Sequence, residues 1–374
     1  MIGPISFENW KEFNNKSPCK NYFKYHLYSD AKLIGKIDFE LGPYKLLKSK
    51  PITDTYSFAT VLDLNIGNYL KIKLPDDLPK KSEFDRYHGG TLCDEIAALL
   101  SLCFGIRLKA GSSIGLSPCT DYAVPHFEAT GIGVNKRRPI MLEPSHGLLI
   151  LPKVIGKHRT KNINLIMTLS QISPKDASSL IRAARLYQDA IWIAESQPEL
   201  SWLMLVSAIE IAANRWFKGK LSSVDLLKYF EENFVKDLSD KGGEEIVKLV
   251  ADKLYDTMKV KKKFIEYIIK HKVRHPQKRP AAKHQVSWKK KDIEQSLEIL
   301  YDLRSKALHE GIPFPKPMCR PPHPSEGAYY EKPEGVVSAT AVWLSKDLPM
   351  LLHIFEYIVR NALLKWWNSL LKIG

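Results

Sequence analysis

"YDLRSKALHEG", Tyr301 to Gly311, closes a run whose apolar residues repeat at helical spacing. Ile293, Leu297, Leu300 and Tyr301 stand at offsets 0, 4, 7 and 8, which is one face of an amphipathic helix. The next two positions of that stripe are Arg304 and Leu308. An arginine therefore occupies a slot that should face a core, with His309 five residues on and a Gly-x-Pro stop after it. The reading predicts a helix from Lys289 to about His309.

The surroundings of this helix are basic. From Lys259 to Lys291 thirteen Lys and Arg face one acid, Glu266, a local charge of +12 within a chain that carries +15 over 374 residues. Such an excess favours a polyanionic partner, nucleic acid or an anionic membrane surface. The candidates for an RNA-positioning surface are Lys261, Lys262, Lys263, Arg274, Lys278, Arg279, Lys283, Lys289, Lys290 and Lys291, with Trp288 and Tyr267 available to stack on bases. The plain alternative is a solvated loop that aids solubility. Spacing alone decides little, because Arg279 and His284 repeat the R-x4-H pattern in a segment that Pro280 makes a poor helix.

Arginine and histidine together suit phosphodiester cleavage through a ribose 2'-OH. One group must take that proton, one must protonate the departing 5'-oxygen, and fixed positive charge must meet the negative charge of the phosphorane. Histidine serves either proton role, and arginine offers a planar fork matched to phosphate oxygens; this chemistry calls for no metal or cofactor. Five residues on one intact helix point about 140° apart, however. Either the helix unravels near Gly311 and Pro313, or the site draws on two chains related by a two-fold axis.

"LYDLRSKALHEG" resembles the R-x4-6-H signature of HEPN domains, most closely their ApeA-like branch, in which an aromatic residue precedes R-S-K and H-x-G follows. "LVSAIE" (205–210) and "EYIVRNALL" (356–364) are similar to the same branch, so the resemblance covers about residues 175–374. It implies a helical bundle and a metal-independent endoribonuclease that works as a homodimer, leaves 2',3'-cyclic phosphates and serves as a toxin or antiphage effector. It also implies that Arg304 and His309 are the catalytic pair, that Ser305 fills a commonly polar position, and that Glu210, with Asn214 one turn on, orients the pair. The implied partner is RNA, with tRNA as one candidate, and a phage-derived trigger would act on the other half of the chain. The runner-up is a non-catalytic HEPN dimer that binds RNA or protein. The long basic insert before the motif helix departs from the branch.

Residues 1–172 lie outside the resemblance. Strand-like runs there include "AKLIGKIDFEL" (31–41), "YSFATVLDLNI" (56–66), "YLKIKL" (69–74), "GLLILPKVI" (147–155) and "NINLIMTL" (162–169), with one helix, "TLCDEIAALLSLCFG" (91–105). The expectation is a mainly β or α+β sensor domain over 1–172, followed by an all-α HEPN-type bundle over 173–374. Ser173, Pro174 and Asp176 mark its first helix start and Pro198 its second. Further helices are expected at Val224 to Phe234, Glu244 to Tyr255, Lys261 to Lys272 and after Pro349.

Five scattered cysteines without a C-x-x-C pair suggest reduced thiols. With no apolar leader in "MIGPISFENWKEF" and no spanning-length apolar run, the expectation is a cytoplasmic protein without a membrane association. Three weaker signals are "GSSIG" (111–115), which matches a nucleophile elbow around Ser113; His271, His275, Cys319 and His323 as a zinc set; and "GIGVNK" (131–136), an incomplete dinucleotide loop.

Overall fold

The computed structural model describes residues 3–49, 59–71, 90–118, 148–219, 221–272, 274–338 and 341–371. The chain forms two compact units, Met1–Met204 with Leu363–Gly374, and Leu205–Ala362. A β-sheet region comes first and a helical region follows.

In the first unit, α1 (Ile5–Asn14) precedes β1 (Asn21–Ser29), β2 (Lys32–Ile34), β3 (Phe39–Leu41), β4 (Tyr44–Lys48) and β5 (Thr60–Asn68). Then come α2 (Leu92–Phe104), β6 (Lys109–Pro118), β7 (Lys157–Arg159), α3 (Pro174–Ile193) and the start of α4 (Pro198–Trp216). Five strands make one antiparallel sheet in the order β3-β4-β5-β1-β6, while β2 and β7 pair in parallel. Alternation along β5 buries Leu62, Leu64 and Ile66, and α2 contributes Ile96, Leu99 and Leu100, all without exposure. The helix α2 starts where the Asp94 carboxylate accepts from the Thr91 hydroxyl (2.8 Å) and N–H (3.1 Å). It stops at Gly105, whose φ of 69° is left-handed. Ser173 caps α3 by accepting from the Asp176 N–H, with Pro174 in its first turn.

Several expected strands differ. Gly35, at φ 96°, divides "AKLIGKIDFEL" into β2 and β3. "NINLIMTL" lies in a 3-10 run, Ile163–Gln171, whose buried residues Ile163, Leu165, Ile166 and Leu169 suit a tight helical turn better than period two. In "GLLILPKVI" the described part forms bends and turns, because the Ile150 and Leu151 N–H groups donate to the buried Glu195 carboxylate (2.8 and 3.1 Å) instead of a strand ladder. Tyr69 to Lys71 lie past the end of β5, and the rest of "YLKIKL" falls outside the described residues.

The helical region continues with α5 (Ser223–Phe230), α6 (Glu232–His271), α7 (Lys290–His309) and α8 (Leu352–Leu370). The first of these stops four residues before the expected Phe234, since Glu231 is non-helical. The two helices expected within 244–272 run on as one, and α6 is broken instead at Gly243. Leu226 and Leu227 of α5 pack with Ala251 and Met258 of α6. The all-α expectation is corrected by two small hairpins, β8 (Pro324–Ser325) with β9 (Ala328–Tyr329), and β10 (Val336–Val337) with β11 (Val342–Trp343). Glu326 and Gly327, both at positive φ, make the tight turn of the first, and the prolines around it prevent helix.

Candidate active site and basic surface

Helix α7 runs unbroken to His309, and Gly311 at φ 69° closes it. Ile293, Leu297, Leu300 and Tyr301 are buried as the stripe requires. The stripe then leaves the core: Arg304 is half-buried, while Leu308, and Ile312 just beyond the helix, are each 49% exposed. His309 is exposed between them.

Arg304 donates through Nη2 to Glu210 Oε2 at 2.8 Å, and the Tyr301 hydroxyl donates to Glu210 Oε1 at 3.0 Å. The Glu210 side chain is 12% exposed and that of Arg304 19%. The carboxylate thus fixes the guanidinium with one oxygen and the phenol with the other. The guanidinium also lies 5.6 Å from the centre of the Tyr301 ring. Burial, and then the charge of Glu210, raise the Tyr301 pKa, so the phenol keeps its proton. The Nε of Arg304 is buried and has no hydrogen-bond partner among the described residues.

One turn beyond Glu210, Asn214 is exposed and its Oδ1 accepts from Lys263 Nζ at 3.1 Å. Burial, aided by Lys259, lowers the Lys263 pKa. Ser305 is half-buried. Five residues from Arg304, His309 lies about 7.5 Å further along the axis and about 140° around it. The structure therefore gathers Arg304, Glu210 and Tyr301 directly, places Asn214 one turn away, and leaves His309 apart. Only Tyr301 lacked an assigned role; its place three residues before Arg304 on a helix was the available signal.

The basic residues divide into two sets. Some are committed: Lys261 pairs with Asp302 at 2.7 Å, Lys262 lies 3.1 Å over the Tyr229 ring and near Glu266, and Lys263 holds Asn214. Arg279 is the most committed, donating through Nε (2.8 Å) and Nη2 (2.5 Å) to the buried Glu331 and through Nη2 to the Val286 carbonyl. Arg274, Lys278, Lys283, Lys289, Lys290 and Lys291 are exposed, Lys290 with a loose contact to Glu294 at 3.7 Å. Tyr267 is fully buried, so it offers no stacking face, whereas Trp288 is partly exposed.

The weaker motifs find other places. Ser113 sits within β6, not at a strand-to-helix turn, and its hydroxyl meets the carbonyls of Lys24 and Gly115. His271 and His275 face the carbonyls of Tyr267 and Pro276, and His323 lies 3.3 Å from Glu334. Among the described residues no three His, Cys, Asp or Glu gather as a metal site. "GIGVNK" falls outside the described residues. Cys93, Cys103 and Cys319 are buried thiols, but Cys19 is disulfide-bonded, which departs from five reduced thiols. No helix among the described residues is long and apolar enough to cross a membrane.

None of the family models compared with the chain matches it, and no curated protein or solved structure does. The likeness to HEPN domains thus rests on the motif residues and their setting.

Proposed function

We propose that the chain is a metal-independent endoribonuclease of HEPN type whose site is assembled from two copies. The observation that carries this reading is Arg304, held through Nη2 by the Glu210 carboxylate that Tyr301 also binds, with Nε unpaired among the described residues, on a helix whose end carries the exposed apolar side chain of Leu308, with Ile312 just beyond. Because α7 stays helical through His309, its own histidine does not face its own arginine. A two-fold contact through Leu308 and Ile312 would bring the histidine of one copy toward the arginine of the other.

In that site the imidazole takes the 2'-OH proton as the O2'–P bond forms, and a proton passes to O5' as the P–O5' bond breaks. The products are a 2',3'-cyclic phosphate and a 5'-hydroxyl. Arg304 meets the charge on the phosphorane oxygens, and Glu210 with Tyr301 keeps the guanidinium aimed. Defence against phage, a cytoplasmic setting, and a first unit that senses a trigger complete the proposal. The separation of His309 from Arg304 within one chain favours a second reading if the protein proves monomeric: a non-catalytic module that binds RNA or protein.

The test incubates purified protein with total RNA, tRNA included, in excess EDTA beside Arg304→Ala and His309→Ala. Cyclic phosphate ends from the parent protein alone support the nuclease. Mixing the two inactive variants sharpens it: random pairing restores about a quarter of the parent rate if each site uses both chains. No restoration from a confirmed mixed dimer excludes the two-chain site.

A further inference from the structure

Near the start of α7, a groove of about 510 Å³ opens between the basic loop and the segment after β9. Gln285, Ser287, Trp288, Lys289 and Lys332 border it, with Arg279 in its wall. The hollow is wide open, nearer a flat face than an enclosed cavity, so its chemistry rests on the side chains that border it.

The wall is built rigidly. Glu331 takes two bonds from Arg279 and one from the Val286 N–H (2.9 Å), and the N–H groups of Glu331 and Lys332 both donate to the His284 carbonyl. Trp288 is fixed edge-on against Tyr357 at 6.2 Å, with Lys272 Nζ on its carbonyl at 2.9 Å. Arg279 is neutralised by Glu331, so the free charge at the rim is that of Lys289 and Lys332. Lys332 also borders a second, smaller hollow beside Arg320 and Tyr330.

We infer that this groove is an exosite for single-stranded RNA, in which a base lies against Trp288 and the flanking phosphates meet Lys289 and Lys332. It rests on the RNA reading above but not on cleavage. An aromatic side chain and two cations bordering one groove suit the base and phosphates of an unpaired strand, where each stacked base contributes about 1–3 kcal/mol. Duplex RNA cannot present a base face there. Fifteen residues of helix separate Lys289 from Arg304, about 22 Å along the axis. The groove therefore grips the strand well away from the bond that breaks, and the preferred substrate must be unpaired at a distance from its cleavage point.

The test measures fluorescence anisotropy of a labelled 15-nucleotide unstructured RNA with full-length protein carrying His309→Ala, so that cleavage cannot interfere. Adding Lys289→Glu and Lys332→Glu is expected to weaken binding at least tenfold and to lower the salt slope by about 1.4, the share of two phosphate contacts on a single strand. Trp288→Ala should weaken it further. Because that change removes packing, Gln285→Ala at the rim and ultraviolet crosslinking of a 4-thiouridine strand to Trp288 provide independent readouts. Unchanged affinity in the double lysine variant overturns the exosite, whatever the outcome for cleavage. Equal competition by polyglutamate, with the same lysine dependence, also overturns it in favour of an acidic peptide. Groove-dependent binding in a protein that never cleaves RNA would leave the exosite standing and remove the nuclease.

Discussion

Two arginine–glutamate pairs in the second unit share the same local spacing, R-x4-H, and differ in what they leave open. Arg279 and Glu331 saturate each other: the side chain of Glu331 is 2% exposed, both its oxygens accept, and the following histidine, His284, stacks on Tyr330 at 3.5 Å. Arg304 keeps a buried nitrogen without a partner among the described residues, its carboxylate is shared with a phenol, and His309 stands exposed beside two exposed apolar residues. One pair has the makings of a structural knot and the other of a site. Identical spacing in sequence does not separate them, and neither does the count of unpaired buried nitrogens, since among the described residues His284 Nε2 is one as well; the exposure of the histidine does, His309 lying open and His284 stacked against Tyr330.

Function should part the two pairs most widely. His309→Ala is expected to slow RNA cleavage by about 10²–10⁴-fold, the range of a lost general acid or base, while His284→Ala leaves the rate per folded molecule within about twofold. Equal losses in the two variants, measured as initial rates of cyclic phosphate formation, would erase the distinction.

Stability should part them in the opposite sense. Arg279→Ala strands a buried carboxylate and should cost about 3–5 kcal/mol in urea unfolding. Arg304→Ala should cost only about 1–2 kcal/mol, because Glu210 keeps the Tyr301 bond and some solvent. A larger loss for Arg304 would make it the structural residue of the two.

A carboxylate in the first unit extends the contrast to pH. Burial would raise the pKa of Asp63, but His26 at 2.9 Å and Lys24 at 2.7 Å outweigh it and hold the group below the ordinary aspartate value. Its folded pKa is thus depressed, so its stabilisation is present above that ordinary value and fades as pH falls through the folded one. Asp63→Asn should flatten the acid limb of the stability curve, and an unchanged limb would assign acid sensitivity to other groups.

The smallest effect belongs to the exposed end of the series. Asp302→Asn, which breaks the pair with Lys261, should change stability by less than about 1 kcal/mol.

What could be read from the residues follows this same division between local and distant satisfaction. The bounds of α2, the start of α3 and the span of α7 were legible because their signals, Thr91 with Asp94, Ser173 with Pro174, and Gly311 after an apolar stripe, act within one turn. The nearness of Glu210 to Arg304 was expected only through the resemblance, as 94 residues separate them. Residues 150 and 151 were misread as strand because the group that takes their N–H bonds, Glu195, sits 44 and 45 positions away. Likewise Arg279 looked like a free cation until Glu331, in a proline-rich run of unremarkable pattern, was placed against it. Charge counts do not record which charges are already answered.

The Glu331 knot also sets an order on synthesis. Its side chain organises residues 279–286, and its own carbonyl accepts from the Leu351 N–H, so the basic loop cannot settle before the chain has grown past that point. Arg304 leaves the ribosome earlier, before that loop is ordered. A chain that has not yet grown past residue 331 therefore carries the basic segment without the carboxylate that orders it, and the segment takes its folded form only late in synthesis.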